Sequence, residues 1–224
     1  MQETFGFSNL REARDLAFLN IPFQDDKDKQ VELQYRYRLN DKYITIVPSG
    51  ARRQYTSKEE IYIDEYIKVI RYIVDELKLD VLLLAHVIHV SDSNDKVIID
   101  KIIKKIEPQY MEHIQVVDSL IYPYEARILL GGGLATITGR MHAAVSSINM
   151  GTVPICLSYS VKFKGVIGDD FGLNDYIYQC RGDEIWDSGN VHTEVIRRLD
   201  MALENREKVL KQIGSELKTV QKKS

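Results

Sequence analysis

From Lys42 onward, short apolar runs alternate with stretches in which apolar positions recur every three or four residues. Tyr43–Val47, Asp80–Ala85, Ile114–Val117, Ala135–Thr138 and Val153–Leu157 are aliphatic or β-branched runs bounded by glycine, proline or polar residues, as strands covered on both faces should be. A last short run, Tyr176-Ile177-Tyr178, completes the series. Between the first two runs, Ile63, Tyr66, Ile67, Ile70, Ile73, Val74 and Leu77 repeat at helical spacing behind Ser57 and Glu60, a pair spaced as a capping box. Ser91-Asp92-Ser93-Asn94-Asp95 offers caps for a second helix whose Val97, Ile98, Ile102 and Ile106 face inward, and Tyr124–Leu130 supplies a third. Met141–Met150 are helix formers stopped by Gly151, and Val191–Val220 reads as one long helix striped by Val195, Leu199, Ala202, Leu203, Val209 and Leu210. This alternation predicts an α/β fold: a doubly wound, mostly parallel Rossmann-like sheet of about six strands with right-handed crossovers.

Residues 1–40 break the rhythm. Arg11–Asn20 reads as a short helix or strand and Gln24–Gln30 as a charged turn, a ragged connector ahead of one domain spanning 41–224. The length of 224 residues is enough to bury a core, and the formal charge of -3 gives no reason to expect nucleic acid or an acidic membrane as a global partner. Cys156 and Cys180 stand alone in apolar runs without a disulfide framework, which together with the lack of a basic-then-apolar leader predicts a reducing, cytoplasmic setting.

The candidate chemistry gathers around Thr138-Gly139-Arg140-Met141-His142, where a strand ends in a glycine turn and a helix begins. Such a helix points its unpaired N–H groups and positive dipole end at the carboxyl edge of the sheet, where open α/β sheets bind ligands. Arg140, Met141 and His142 would stand at that mouth. The next strand leads into Ser158-Tyr159-Ser160-Val161-Lys162-Phe163-Lys164, a loop whose Tyr159, Lys162 and Lys164 would open on the same edge. A planar arginine fork and mobile lysine charges suit a small polyanion. Ser49, Arg52 and Arg53 follow the first strand and could face the crevice, and His86 ends the second. His86 and His89 lack the cysteine or carboxylate companions of a closed zinc site, so no metal is expected.

Gly139-Arg140-Met141-His142-Ala143-Ala144, followed by Gly151-Thr152-Val153-Pro154 and Tyr159-Ser160-Val161-Lys162-Phe163-Lys164-Gly165, resembles the signature of the polysaccharide pyruvyl transferase family. Thr45-Ile46-Val47-Pro48-Ser49, Leu84-Ala85-His86 and Asp169 with Phe171-Gly172-Leu173 resemble further segments of it, and Asp15-Leu16-Ala17-Phe18 is similar to the segment that closes its N-terminal half. The resemblance implies the C-terminal lobe of a two-lobed, GT-B-like transferase, with residues 1–40 the remnant of an N-terminal lobe that a separate chain would have to supply. It implies that phosphoenolpyruvate is the donor substrate, that no bound cofactor is needed, and that a sugar or lipid-linked oligosaccharide accepts a pyruvate ketal at the inner face of the membrane. Arg140, His142, Ser49, Tyr159, Lys162 and Lys164 would then bind substrate, with His142 the general acid and His86 the next choice, since histidine suits protonation of the methylene carbon. Two other readings stay open: a donor-binding domain of a nucleotide-sugar glycosyltransferase, and a non-catalytic remnant that binds an anion or a partner chain.

Overall fold

The computed structural model of the chain describes residues 13–89 and 93–224. Ser91 and Asp92 of the cap run, and the first two residues of the Arg11–Asn20 segment, lie outside them. Six strands form one parallel sheet: β1 (Tyr43–Val47), β2 (Asp80–Leu84), β3 (Ile114–Val117), β4 (Ala135–Thr138), β5 (Val153–Ser158) and β6 (Ile177–Gln179). Their order is β3-β2-β1-β4-β5-β6, so the chain builds outward from β1, returns across the sheet, and builds outward again from β4. Val47 pairs with Thr138 and Thr138 with Cys156, which brings the carboxyl ends of β1, β4 and β5 side by side. The point where the winding reverses is therefore the gap between the loops after β1 and β4.

The helices are α1 (Lys27–Arg36), α2 (Glu59–Asp75), α3 (Asp95–Lys105), α4 (Pro123–Gly132), α5 (Met141–Asn149), α6 (Asp183–Asp187), α7 (Val191–Glu204) and α8 (Arg206–Gln221). Contacts group α2, α3 and α7 into one layer and α1, α4, α5 and α8 into the other. Strand residues such as Ile44, Ile46, Leu83, Ile137 and Ile155 are fully buried between the layers, as continuous apolar runs require. Among the described residues no helix is long and apolar enough to cross a membrane. Cys156 and Cys180 are free and buried, and burial pushes both thiols far up, so they sit as protonated core groups.

Several local features differ from the sequence pattern. The Ser57 and Glu60 capping box does not form: the N-cap position of α2 is Lys58, while the Ser57 amide and hydroxyl both donate to Asp183 at 2.7 and 2.6 Å. A distant carboxylate has taken the groups that a local cap would have used. The single terminal helix is two, α7 and α8, parted at Asn205, whose side-chain amide donates to the Met201 carbonyl at 2.9 Å and closes the first. Gly131 and Gly132 belong to α4, and the strand expected from Tyr176 starts at Ile177 after a 3-10 turn. The lysine loop is helical, with a π-turn over Lys164–Asp169. Gln24–Gln30 is no simple turn, because Asp26 caps α1 by accepting from Asp28 N and Lys29 N at 3.0 and 3.1 Å.

The described part of the N-terminal segment is docked onto the domain. Phe18 is fully buried with its ring 5.1 Å from that of Phe171. Arg127, itself buried, donates to the carbonyls of Leu19 and Ala17 at 2.8 and 2.6 Å and to the Gln24 side chain. Gln221 of α8 adds a bond to the Phe18 carbonyl at 2.9 Å.

Candidate anion site at the switch point

The centre of the switch point is a residue that sequence patterning treats only as one polar residue at a helix start. Asp95, the first residue of α3, is fully buried, and its carboxylate gathers three loops. It accepts from Gly50 N after β1 at 2.6 Å, from His86 N and Val87 N after β2 at 3.1 and 2.8 Å, and from Arg140 after β4. Arg140 contributes Nε at 3.0 Å and Nη2 at 2.6 Å to Oδ1, while Nη2 also donates to the Ser93 carbonyl at 2.5 Å. This use of every lone pair is what makes a buried charge tolerable. The loop after β1 comes so close that a Cβ on Gly50 would lie 2.4 Å from the Asn94 carbonyl carbon and oxygen, so the position demands glycine.

Arg140 is also the N-cap residue of α5, and its side chain makes no cap. It is aimed away, at Asp95. A guanidinium has no acceptor to offer, so the amides of Met141 and His142 have no capping side chain from the N-cap residue, leaving the donor pair and positive dipole end that an anion would use. His142 is exposed at the start of α5, and its Nε2 lies 3.2 Å from Asp15 Oδ2. Asp15 is fixed in turn by accepting from Ala17 N at 2.9 Å through Oδ1. His86 is half-buried behind this rim. Burial lowers its imidazole to about 4, with the Asp95 charge opposing and those of Arg140 and His142 reinforcing the shift. These couplings put His86, Asp95, Arg140 and His142 in one electrostatic neighbourhood, in which His86 is neutral near pH 7.

Beside β5 the site rests on tyrosines. Tyr55, 1% exposed, donates to the carbonyls of Gly139 and Leu157 at 2.8 and 3.0 Å, and Tyr62 donates to the Ser49 carbonyl at 3.0 Å. Burial pushes both hydroxyls well above their ordinary range, so they stay neutral donors and draw those carbonyls into the core. Tyr159 packs its ring 5.1 Å from Tyr55, edge to face. Ser49 is fully buried, its hydroxyl accepting from Ala51 N at 3.3 Å, so it supports the β1 turn and presents no surface to solvent. Lys162 and Lys164 are exposed. Arg52 is committed to its own turn through the carbonyls of Thr56 and Ser57 at 2.9 and 2.7 Å. Arg53 and Lys101 line a separate cavity of about 220 Å³ with Gly50 and Asn94 on the α3 side of Asp95. Among the described residues no three His, Cys, Asp or Glu side chains cluster as metal ligands would.

Residues 1–161 match the sequence profile of the polysaccharide pyruvyl transferases. The chain belongs to that family. Asp15, Ser49, His86, Asp95, Arg140, His142 and Tyr159 all fall inside the family match, whereas Lys162 and Lys164 fall just past its end. No curated protein matches the chain. Among solved structures, UDP-GlcNAc 2-epimerase from Methanocaldococcus jannaschii is similar in fold, with a TM-score of 0.57 at 12% identity over 80% of this chain. The chain spans 44% of the length of that epimerase. Of the site residues, pattern reasoning found Arg140 and His142 because a strand, a glycine and a helix start are local signals. Asp95 and Asp15 carry no such signal: the side chains they meet, Arg140 and His142, stand 45 and 127 positions away.

Proposed function

We propose that this chain binds phosphoenolpyruvate and serves a pyruvyl transferase that ketalises a sugar, free or lipid-linked, in exopolysaccharide or cell-surface glycan synthesis at the cytoplasmic side of the membrane. The observation that carries the reading is the α5 N-terminus, left without a side-chain cap and flanked by Arg140 and His142. Phosphoenolpyruvate bears a phosphate and a carboxylate on one small carbon skeleton. Helix amides, the edge of the Arg140 guanidinium that Asp95 and the Ser93 carbonyl leave unused, and the exposed lysines after β5 are the donors such a ligand needs.

The chemistry assigns roles to these groups. Protonation of the methylene carbon makes the central carbon electrophilic; two sugar hydroxyls add to it in turn and phosphate leaves. The two hydroxyl protons balance the reaction, one ending on the new methyl group and one on the departing phosphate. A histidine that lends the first proton is restored by a hydroxyl proton. His142, exposed at the rim, has that role in this reading; His86, neutral to about pH 4, is a poor proton source at neutral pH.

Calorimetric titration of the chain with phosphoenolpyruvate at low salt tests the reading. Binding is expected to be weak, and Arg140→Ala should weaken it by roughly tenfold or more, the worth of a lost charge-assisted contact. Affinity unchanged in Arg140→Ala would sink the assignment. UDP-GlcNAc under the same conditions should give no comparable heat.

A further inference from the structure

We propose that Asp15 is the positioning residue for His142, holding the imidazole so that Nε2 carries a proton toward the carboxylate and Nδ1 is the atom left to exchange a proton with a ligand. The inference rests on the proposed role of His142, and deepens it by naming the reacting nitrogen.

The geometry is specific on both sides of the contact. Asp15 Oδ2 lies 3.2 Å from His142 Nε2, while Oδ1 is occupied by the Ala17 amide at 2.9 Å, so the carboxylate cannot turn without losing its own anchor. That anchor is itself held: the Ala17 carbonyl accepts from Arg127 Nη2 at 2.6 Å and from Asn149 Nδ2 at 2.8 Å, and Phe18 is fully buried against Phe171. Asn149 is the last residue of α5, the helix that His142 opens. One short turn is thus bonded near both ends of the helix, which fixes the Asp15 carboxylate relative to the imidazole. A carboxylate can only accept, so neutral His142 facing it must carry its hydrogen on Nε2. No described residue bonds Nδ1. The titratable and charged groups around this pair are Asp15 itself, Arg140 two residues before His142 and the neutral ring of His86 from the loop after β2.

A buried arginine spent on two backbone carbonyls and a glutamine is hard to explain as electrostatics. It is well explained as the clamp that keeps the Asp15 turn in place. In acid–base sites of this construction the third group fixes tautomer and orientation without itself taking the proton.

The test uses the whole chain, labelled with ¹⁵N in histidine, and long-range ¹H–¹⁵N correlation at a pH where the imidazole is neutral. His142→Gln identifies the resonances. In the native chain His142 should be the Nε2–H tautomer. Asp15→Asn keeps the Oδ1 acceptor for Ala17 but can set an amide donor against Nε2, so the population should move to the Nδ1–H tautomer. An unchanged tautomer ratio in Asp15→Asn overturns the proposal. As a second measurement that needs only an exposed substitution, the Asp15 carboxyl should titrate higher in His142→Gln than in the native chain, and an unmoved titration also overturns it. Phosphoenolpyruvate is then added to the labelled native chain. If the His142 resonances do not respond, the proposed function fails while the Asp15 coupling is still judged by the first two measurements.

Discussion

Arg140 and Asp95 meet across 45 positions of sequence, Nη2 to Oδ1 at 2.6 Å, with the aspartate side chain fully buried and the arginine side chain 15% exposed. The pair joins the loops on both sides of the switch point. Its energetic weight lies less in mutual attraction than in what happens when one member is lost. Removing one partner of a buried pair typically costs about 3–5 kcal/mol, because the other charge stays in a dry place.

A first prediction compares the two members. Asp95→Ala strands the Arg140 guanidinium and leaves the amides of Gly50, His86 and Val87 without their acceptor, so three loops lose one common tie. Arg140→Ala leaves Asp95 with those three amides. Chemical denaturation should therefore show Asp95→Ala as the more damaging change, with a loss of about 3 kcal/mol or more, and Arg140→Ala as the milder one. Equal losses would mean that the three amide bonds carry little of the stability.

The strands and most helices were legible because their signals are local: a β-branched run closed by glycine, or apolar residues every three or four positions. Arg140 and His142 were legible for the same reason. What was missed is held by partners far apart in the chain. Asp183 takes the groups of Ser57 that a local cap would have used, and Asp95 looks like one more polar residue of a cap run until the loops after β1, β2 and β4 are seen to converge on it. The break at Asn205 escaped because the apolar stripe continues through it, Leu199 and Ala202 before and Val209 and Ile213 after, all buried.

A second prediction concerns acid. Asp183 accepts from Ser57 Oγ and N at 2.6 and 2.7 Å and from Thr56 Oγ1 at 2.5 Å; the Ser57 hydroxyl, then the Thr56 hydroxyl and the Ser57 amide, hold its carboxyl down at about 2. A depressed folded-state value means the contribution is present above the ordinary carboxylate range and is lost as pH falls from about 3.8 toward 2. Asp183→Asn should be less stable than the native chain at pH 6, and the difference should shrink on acidification through that window. Thermal melts at pH 6, 4 and 2.5 measure it; a constant gap would show that the bonds do not depend on ionisation.

A third prediction addresses the docking of the N-terminal turn. Arg127→Met keeps much of the aliphatic volume but removes three hydrogen bonds, leaving the carbonyls of Ala17 and Leu19 to find water. Hydrogen exchange at the amides of Ala17 and Phe18 should quicken by tenfold or more, as about 1.4 kcal/mol of local protection is lost, while amides of β1 and β4 are little changed. Uniform loss of protection across the sheet would instead mark Arg127 as a support of the whole core.

The fourth prediction separates the two histidines. His86 sits behind the rim with its backbone amide on Asp95 at 3.1 Å, and burial, reinforced by the nearby Arg140 charge, keeps its ring neutral down to about pH 4. A folded-state value below the ordinary 6.5 means that a neutral ring favours the fold, so His86 destabilises the protein only when pH drops below about 6.5 and the unfolded chain begins to take up the proton first. Two consequences can be measured on the intact chain. His86→Asn, which cannot titrate, should flatten the loss of stability between pH 6.5 and 4 relative to the native chain. It should also leave the pH dependence of phosphoenolpyruvate affinity between pH 6 and 8 as it was, because a ring that stays neutral there exchanges no proton with the ligand. His142→Gln should do the reverse and change that pH dependence, because in the proposed role this ring exchanges the proton with the ligand. If His86→Asn rather than His142→Gln removes the pH dependence of binding, the proton-transfer role moves from the rim to the loop after β2.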